Sequence, residues 1–190
     1  MSFPPFLVLA ISVWTVAPPL PRGNDDFRLG MSRAQVDSAV TARALTVVSS
    51  GSAYLVCASD DPAVEYEQYS FFRAPHGMVF LWKVTIGYRL GATREDLDSL
   101  LVVMRKSLGD PASDTGAGAT ETGTGIGSPP PPPGARQVIW ADRSTAVQAG
   151  ARWSDEAPGP ADRMMVTWVD RRLQRLVEAR RKQGRTAQPQ

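Results

Sequence analysis

Phe27-Arg-Leu-Gly-Met-Ser-Arg-Ala-Gln-Val-Asp-Ser-Ala-Val40 returns 61 positions later as Tyr88-Arg-Leu-Gly-Ala-Thr-Arg-Glu-Asp-Leu-Asp-Ser-Leu-Leu101, with six residues identical. Four further pairs keep their physical type (Phe27/Tyr88, Ser32/Thr93, Val36/Leu97 and Val40/Leu101), so duplication of one supersecondary unit is the natural reading. Each copy reads as the start of a helix, with Ser32 and Thr93 placed as N-caps and Gln35 and Asp96 at the third helical position of a capping box. Leu97, Leu100, Leu101, Met104 and Leu108 continue the second helix, and Gly109-Asp110-Pro111 ends it. The first helix carries only Val36, Val40 and Ala44 before the β-branched Thr46-Val47-Val48, so it is expected to be short.

Beyond each helix the hydrophobic period shortens to two, which marks strands. Tyr54 to Ala58, Val64 to Arg73 and Met78 to Ile86 follow the first helix; Val138 to Ala141, Ala146 to Trp153 and Met164 to Val169 follow the second. In the third of these, Met78, Phe80, Trp82, Val84 and Ile86 are expected on one face, and Trp82 and Trp168 in the core. The expected fold is α+β: two tandem helix-plus-three-strand repeats, residues 27–87 and 88–170, packing antiparallel sheet against helices within one domain, residues 23–170. The paired tryptophans lie 86 positions apart, so the second unit holds extra residues. They fall in the Gly/Pro-rich insertion 111–134, which ends in five prolines, Pro129 to Pro133, and has too few large apolar side chains to offset the entropy of ordering; it reads as a disordered linker.

Residues 1–22 contain an apolar run, Phe6 to Ala17, of the length of a signal-peptide core and too short to span a bilayer as a helix. They read as a signal peptide or a membrane-associated segment, which makes the protein exported, periplasmic or extracellular. The other end is basic. Residues 171–190 carry Arg171, Arg172, Arg175, Arg180, Arg181, Lys182 and Arg185 against Glu178, so this end is +6 in a chain of net charge +2. Leu173, Leu176 and Val177 give it a helical stripe, and a basic C-terminal helix and tail is expected, able to touch an anionic membrane surface. Nucleic acid is disfavoured as a partner, because the strand aromatics are not interleaved with basic residues.

Chemistry-bearing constellations are sparse. Cys57 is the one cysteine and His76 the one histidine, which leaves no zinc ligand set, no internal disulfide and no Cys/His pairing within one motif. Glu65 and Glu67 are two apart on one strand and are expected on a solvated sheet face. No catalytic residue, metal or cofactor is expected, and the protein is read as not an enzyme. The aromatics exceed what two small helices would cover, and Tyr66, Tyr69, Phe71 and Trp153 are the candidates for contact with a protein partner.

Three features together (the start Leu29-Gly30-Met31-Ser32 with Val36, the stop Leu108-Gly109-Asp110-Pro111, and aromatic-rich strands) resemble the BamE-like (SmpA/OmlA) and beta-lactamase inhibitory protein-like superfamily of small exported proteins. The resemblance implies an α+β scaffold that binds another protein without doing chemistry. It does not carry over lipid anchoring or lactamase inhibition, since the attachment cysteine is absent and Cys57 stands alone. The functional expectation is an exported noncatalytic protein-interaction module of the cell envelope, with a secreted or periplasmic inhibitor of a specific enzyme as the alternative.

Overall fold

The computed structural model describes residues 19–24, 26–89, 93–115, 135–152 and 163–186. The expected signal segment up to residue 18, most of the linker and Trp153 lie outside them. In chain order the elements are α1 (Arg33–Ala42), β1 (Thr46–Ser50), β2 (Tyr54–Ala58), β3 (Val64–Arg73), β4 (Val79–Tyr88), α2 (Arg94–Leu108), β5 (Ser113–Asp114), β6 (Ala135–Ala141), β7 (Thr145–Arg152), β8 (Arg163–Asp170) and α3 (Arg171–Thr186).

The two capping boxes form as their spacing demands. Ser32 Oγ accepts from the Gln35 amide at 3.3 Å while Gln35 Oε1 accepts from the Ser32 amide at 2.8 Å; Thr93 and Asp96 repeat the exchange at 3.2 and 2.7 Å. Gly109, at φ +80, ends α2, and its carbonyl accepts from the Trp140 indole at 2.8 Å. The start of α1 is bonded to the sheet, with the Gly30 amide donating to Leu81 and the Leu81 amide donating to Met31.

The arrangement of two helix-plus-three-strand repeats is not what these elements build. They form one antiparallel sheet of eight strands in the order β1-β2-β3-β4-β8-β7-β6-β5, with three helices. Thr46–Ser50, expected to be where the first helix dies away, is a strand, and Ser113–Asp114, within the stretch read as linker, pairs with β6. The physical reason is edge pairing. β4 and β8 join from Lys83/Val169 to Tyr88/Met164, so two strands that would each be an open edge satisfy one another.

One face of this sheet packs on α1 and α2. A cross-strand row runs Leu55, Tyr69, Val84, Trp168, Val147, Trp140, and each neighbour in it is a direct register partner. Val36 and Val40 of α1 cover its first half with Phe27 and Leu29, and Leu97, Leu101 and Met104 of α2 cover its second half with Val138 and Val166. Half-buried Trp168 packs against both clusters and joins them.

Two bulges displace residues from their expected faces. In β4 the register passes from Phe71/Leu81 to Ser70/Lys83, so Trp82 is an extra residue and the alternation reverses across it. Leu81 and Val84 are therefore the buried residues, Trp82 is half-buried on the far side, and Met78 is exposed. In β3 the step from Val64/Tyr88 to Tyr66/Gly87 makes Glu65 the extra residue. Glu65 is exposed whereas Glu67 is 3% exposed, which corrects the expected shared solvated face of these two carboxylates.

Candidate cationic groove

α3 begins one residue after β8 because Asp170 caps it: the carboxylate accepts from the Arg172 and Leu173 amides, both at 3.0 Å. The Arg171 amide and guanidinium donate to the carbonyls of Ser144 and Asp142, fixing the first turn on the β6–β7 corner. From there the helix folds back over the second face of the sheet. Arg180 lies 4.8 Å above the Phe72 ring and donates to the Arg73 carbonyl at 2.6 Å, so the far end of α3 is held on β3.

Between this helix and β2–β4 is a cavity of about 470 Å³. Gln68, Ser70 and Phe72 of β3 and Lys83 of β4 floor it, bulged Trp82 and Tyr54 flank it, and Val177, Arg180 and Arg181 form the α3 wall. Arg73 contributes a fourth cation, and among the described residues no carboxylate lines the space. Arg22, Arg33, Arg43, Arg105 and Arg136 are engaged in ion pairs with carboxylates; Arg73, Lys83, Arg180 and Arg181 take part in none of these pairs. Burial holds the Lys83 ammonium below the usual lysine pKa, and the charge of Arg181 lowers it further. Its Nζ lies 5.8 Å from the centre of the Trp82 ring. The groove is thus a site of unbalanced positive charge beside aromatic surface.

A second hollow, about 280 Å³, lies between Asn24, Arg43, Asp61, Glu67 and Tyr88. Here Asp26, Asp61 and Glu67 surround the single cation Arg43, and the buried carboxylate among them is fully engaged. Glu67 accepts from the Tyr69 hydroxyl at 2.5 Å and from Arg43 at 3.1 and 3.2 Å, and Arg43 also lies over the Phe27 ring. Burial pushes the Tyr69 hydroxyl far above its ordinary pKa, reinforced by its bond to Glu67, so the phenol stays protonated and donating. A carboxylate committed to these donors is a structural anchor. Cys57 is fully buried in β2, where burial raises its thiol pKa, and His76 is exposed in the β3–β4 loop.

The residues expected to meet a partner do not share a surface. Tyr69 and Phe71 are 0% and 5% exposed in the α1 core, a correction forced by strand alternation: with Glu67 they face the helix. Tyr66 is half-buried and lies over Gly87, where an added Cβ would come within 2.2 Å of its ring. Trp153 falls outside the described residues. Of the basic residues, Arg171 is pinned at the helix start, Arg172, Arg175 and Lys182 are exposed on α3, and Arg180 and Arg181 reach the groove. Lys83, Arg73, Gln68 and Ser70 were not singled out by sequence reasoning. The signal available was a lysine inside the apolar strand Phe80-Leu-Trp-Lys-Val-Thr-Ile86.

Among the described residues no group of three or more His, Cys, Asp or Glu is placed to hold a metal, and no helix is long and apolar enough to cross a membrane. Comparison of the chain with protein-family models, curated proteins and solved structures found no match.

Proposed function

We propose that this chain is an exported noncatalytic protein-interaction module of the cell envelope, and that its contact surface is the groove between α3 and β2–β4. The observation that carries this reading is the four-cation lining, with no carboxylate among the described residues, set beside Tyr54 and Trp82. Such a surface holds a net charge that a partner can neutralise, and aromatic area that a partner can cover. The envelope location rests on the apolar run Phe6 to Ala17.

The test is capture from the source cell's envelope with the full chain and with a Lys83→Gln/Arg181→Gln variant, bound proteins being identified by mass spectrometry. A protein retained in stoichiometric amount by the first and lost by the second is the expected result. Retention of the same proteins by both, or of none by either, would sink the proposal.

A further inference from the structure

We infer that the groove takes an extended acidic peptide segment in which carboxylates flank apolar side chains. The inference rests on the reading of the groove as a protein-contact surface and names what that surface recognises. Charge complementarity selects the ligand's sign: Arg73, Lys83, Arg180 and Arg181 converge with no acidic neighbour among the described lining residues. The lining selects its shape. Trp82, Tyr54 and Val177 share the lining with the cations, offering apolar contact beside the points of charge.

Volume argues against a lone inorganic anion. A space of about 470 Å³ is in the range that houses ligands of many atoms, and a tetrahedral oxyanion would leave the aromatic part unfilled. Geometry gives the arrangement of contacts. Lys83 stands on the sheet floor and Arg181 on the helix wall, so a carboxylate between them separates two like charges that otherwise repel. Ser70 and Gln68 add neutral side-chain polar groups on the same floor, and the Lys83/Ser70 cross-strand pairing keeps hydroxyl and ammonium adjacent.

The probe is a fluorescein-labelled hexapeptide Glu-Phe-Glu-Glu-Leu-Glu, read by fluorescence anisotropy with the full chain, beside the same peptide with every Glu replaced by Gln. Binding of the acidic peptide is expected to weaken by about tenfold or more in Lys83→Gln and in Arg181→Gln, with Arg172→Gln, on the exposed first turn of α3, unchanged. Raising salt from about 50 to about 500 mM should weaken it by a similar factor, since a partly open groove is screened. Equal binding of the Gln peptide overturns the inference, as does unaltered binding in both groove variants.

Displacement of the peptide by an equal concentration of inorganic phosphate also overturns it, in favour of a small-anion site. If Lys83→Gln fails to fold, Arg181→Gln, an exposed change, carries the test alone. A partner captured through the groove while the acidic peptide does not bind refutes the inference and leaves the interaction module standing. Peptide binding with no captured partner refutes the module and leaves the ligand class.

Discussion

Arg22 and Asp170, 148 positions apart, meet at 2.6 Å, and the same Asp170 carboxylate caps the first turn of α3. The residues before α1 and the helix after β8 are therefore fastened to one acidic group that is 7% exposed. Asp170→Ala removes the cap and leaves Arg22 without this partner; a loss of about 1–2 kcal/mol is expected, as for other helix N-caps. Circular dichroism should show α3 fraying, and acidic-peptide binding should fall with it because α3 is a wall of the groove. Unchanged helix content would refute this account of the cap.

Tyr69 supplies both packing and a hydrogen bond. Its ring centroid is 4.2 Å from that of Phe27, and its hydroxyl completes the donors around Glu67. Tyr69→Ala should cost about 3–5 kcal/mol, the range for truncating a buried aromatic. Tyr69→Phe keeps the packing but deprives a buried carboxylate of one donor, an expected loss of about 1–2 kcal/mol. Chemical denaturation measures both, and equal losses would show that the hydroxyl carries the whole effect.

Thr85 and Thr167 face each other across the β4/β8 seam with their hydroxyls 3.3 Å apart, both buried. Changing either one alone to Val leaves a hydroxyl without its partner and should cost about 1 kcal/mol, whereas the double change removes both polar groups and should be close to neutral. A double-mutant cycle reads the difference as a coupling energy. Simple additivity of the two single losses would show that the hydroxyls do not satisfy one another.

Asp142 governs acid sensitivity at the β6–β7 corner. Burial opposes its ionisation, but amide bonds from Thr145, Ser144 and Leu20 at 2.7, 2.7 and 2.8 Å outweigh that penalty, and its pKa lies below the ordinary aspartate value. With the folded pKa depressed, its stabilisation is present above the unfolded value of about 3.9 and is lost as pH falls through the folded one. Asp142→Asn should therefore be about 1 kcal/mol less stable at neutral pH and show a shallower loss below about pH 4. Melts across pH 2 to 7, a range of about five units around that value, decide it.

Lys83 is where binding and stability oppose each other. Its half-buried ammonium, repelled by Arg181, is a cost that a ligand would relieve. Lys83→Met should raise Tm by roughly 3 °C, equivalent to about 1 kcal/mol, while weakening acidic-peptide binding by about tenfold or more. Because the folded pKa is lowered, the unfolded chain holds the proton to higher pH. The wild-type chain then gains stability as pH rises from the folded value towards about 10.4, and the advantage of the variant narrows there. A lower Tm in Lys83→Met would show that its alkyl chain and Trp82 contact outweigh the charge penalty.

The local devices were legible in the sequence and the long-range ones were not. Ser32 with Gln35 and Thr93 with Asp96 are short-range bonds between residues three apart, so spacing alone reveals them, and Leu97, Leu101 and Met104 are the buried stripe that their helical spacing implies. The bulges at Glu65 and Trp82 have no comparable mark, yet each shifts the strand alternation and so decides which of Glu65, Glu67, Trp82 and Val84 is buried. The union of β4 with β8 depends on residues more than seventy positions apart, and the repeat spacing does not say which strands meet there. Lys83 enters a site only because α3 returns across the sheet to place Arg180 and Arg181 beside it.

The strand order also sets a timetable for the nascent chain. β1 to β4 can pair as soon as Tyr88 has appeared, but the far side of β4 waits for Met164 to Val169. At translation speeds of about 5–20 residues per second, that edge stays open for roughly 4–16 s. A bare edge is an invitation to aggregate, and this one carries Lys83, Thr85 and Gly87, a charge, a hydroxyl and a weak strand former. The lysine that leaves the finished groove electrostatically unbalanced also guards the growing chain during that interval.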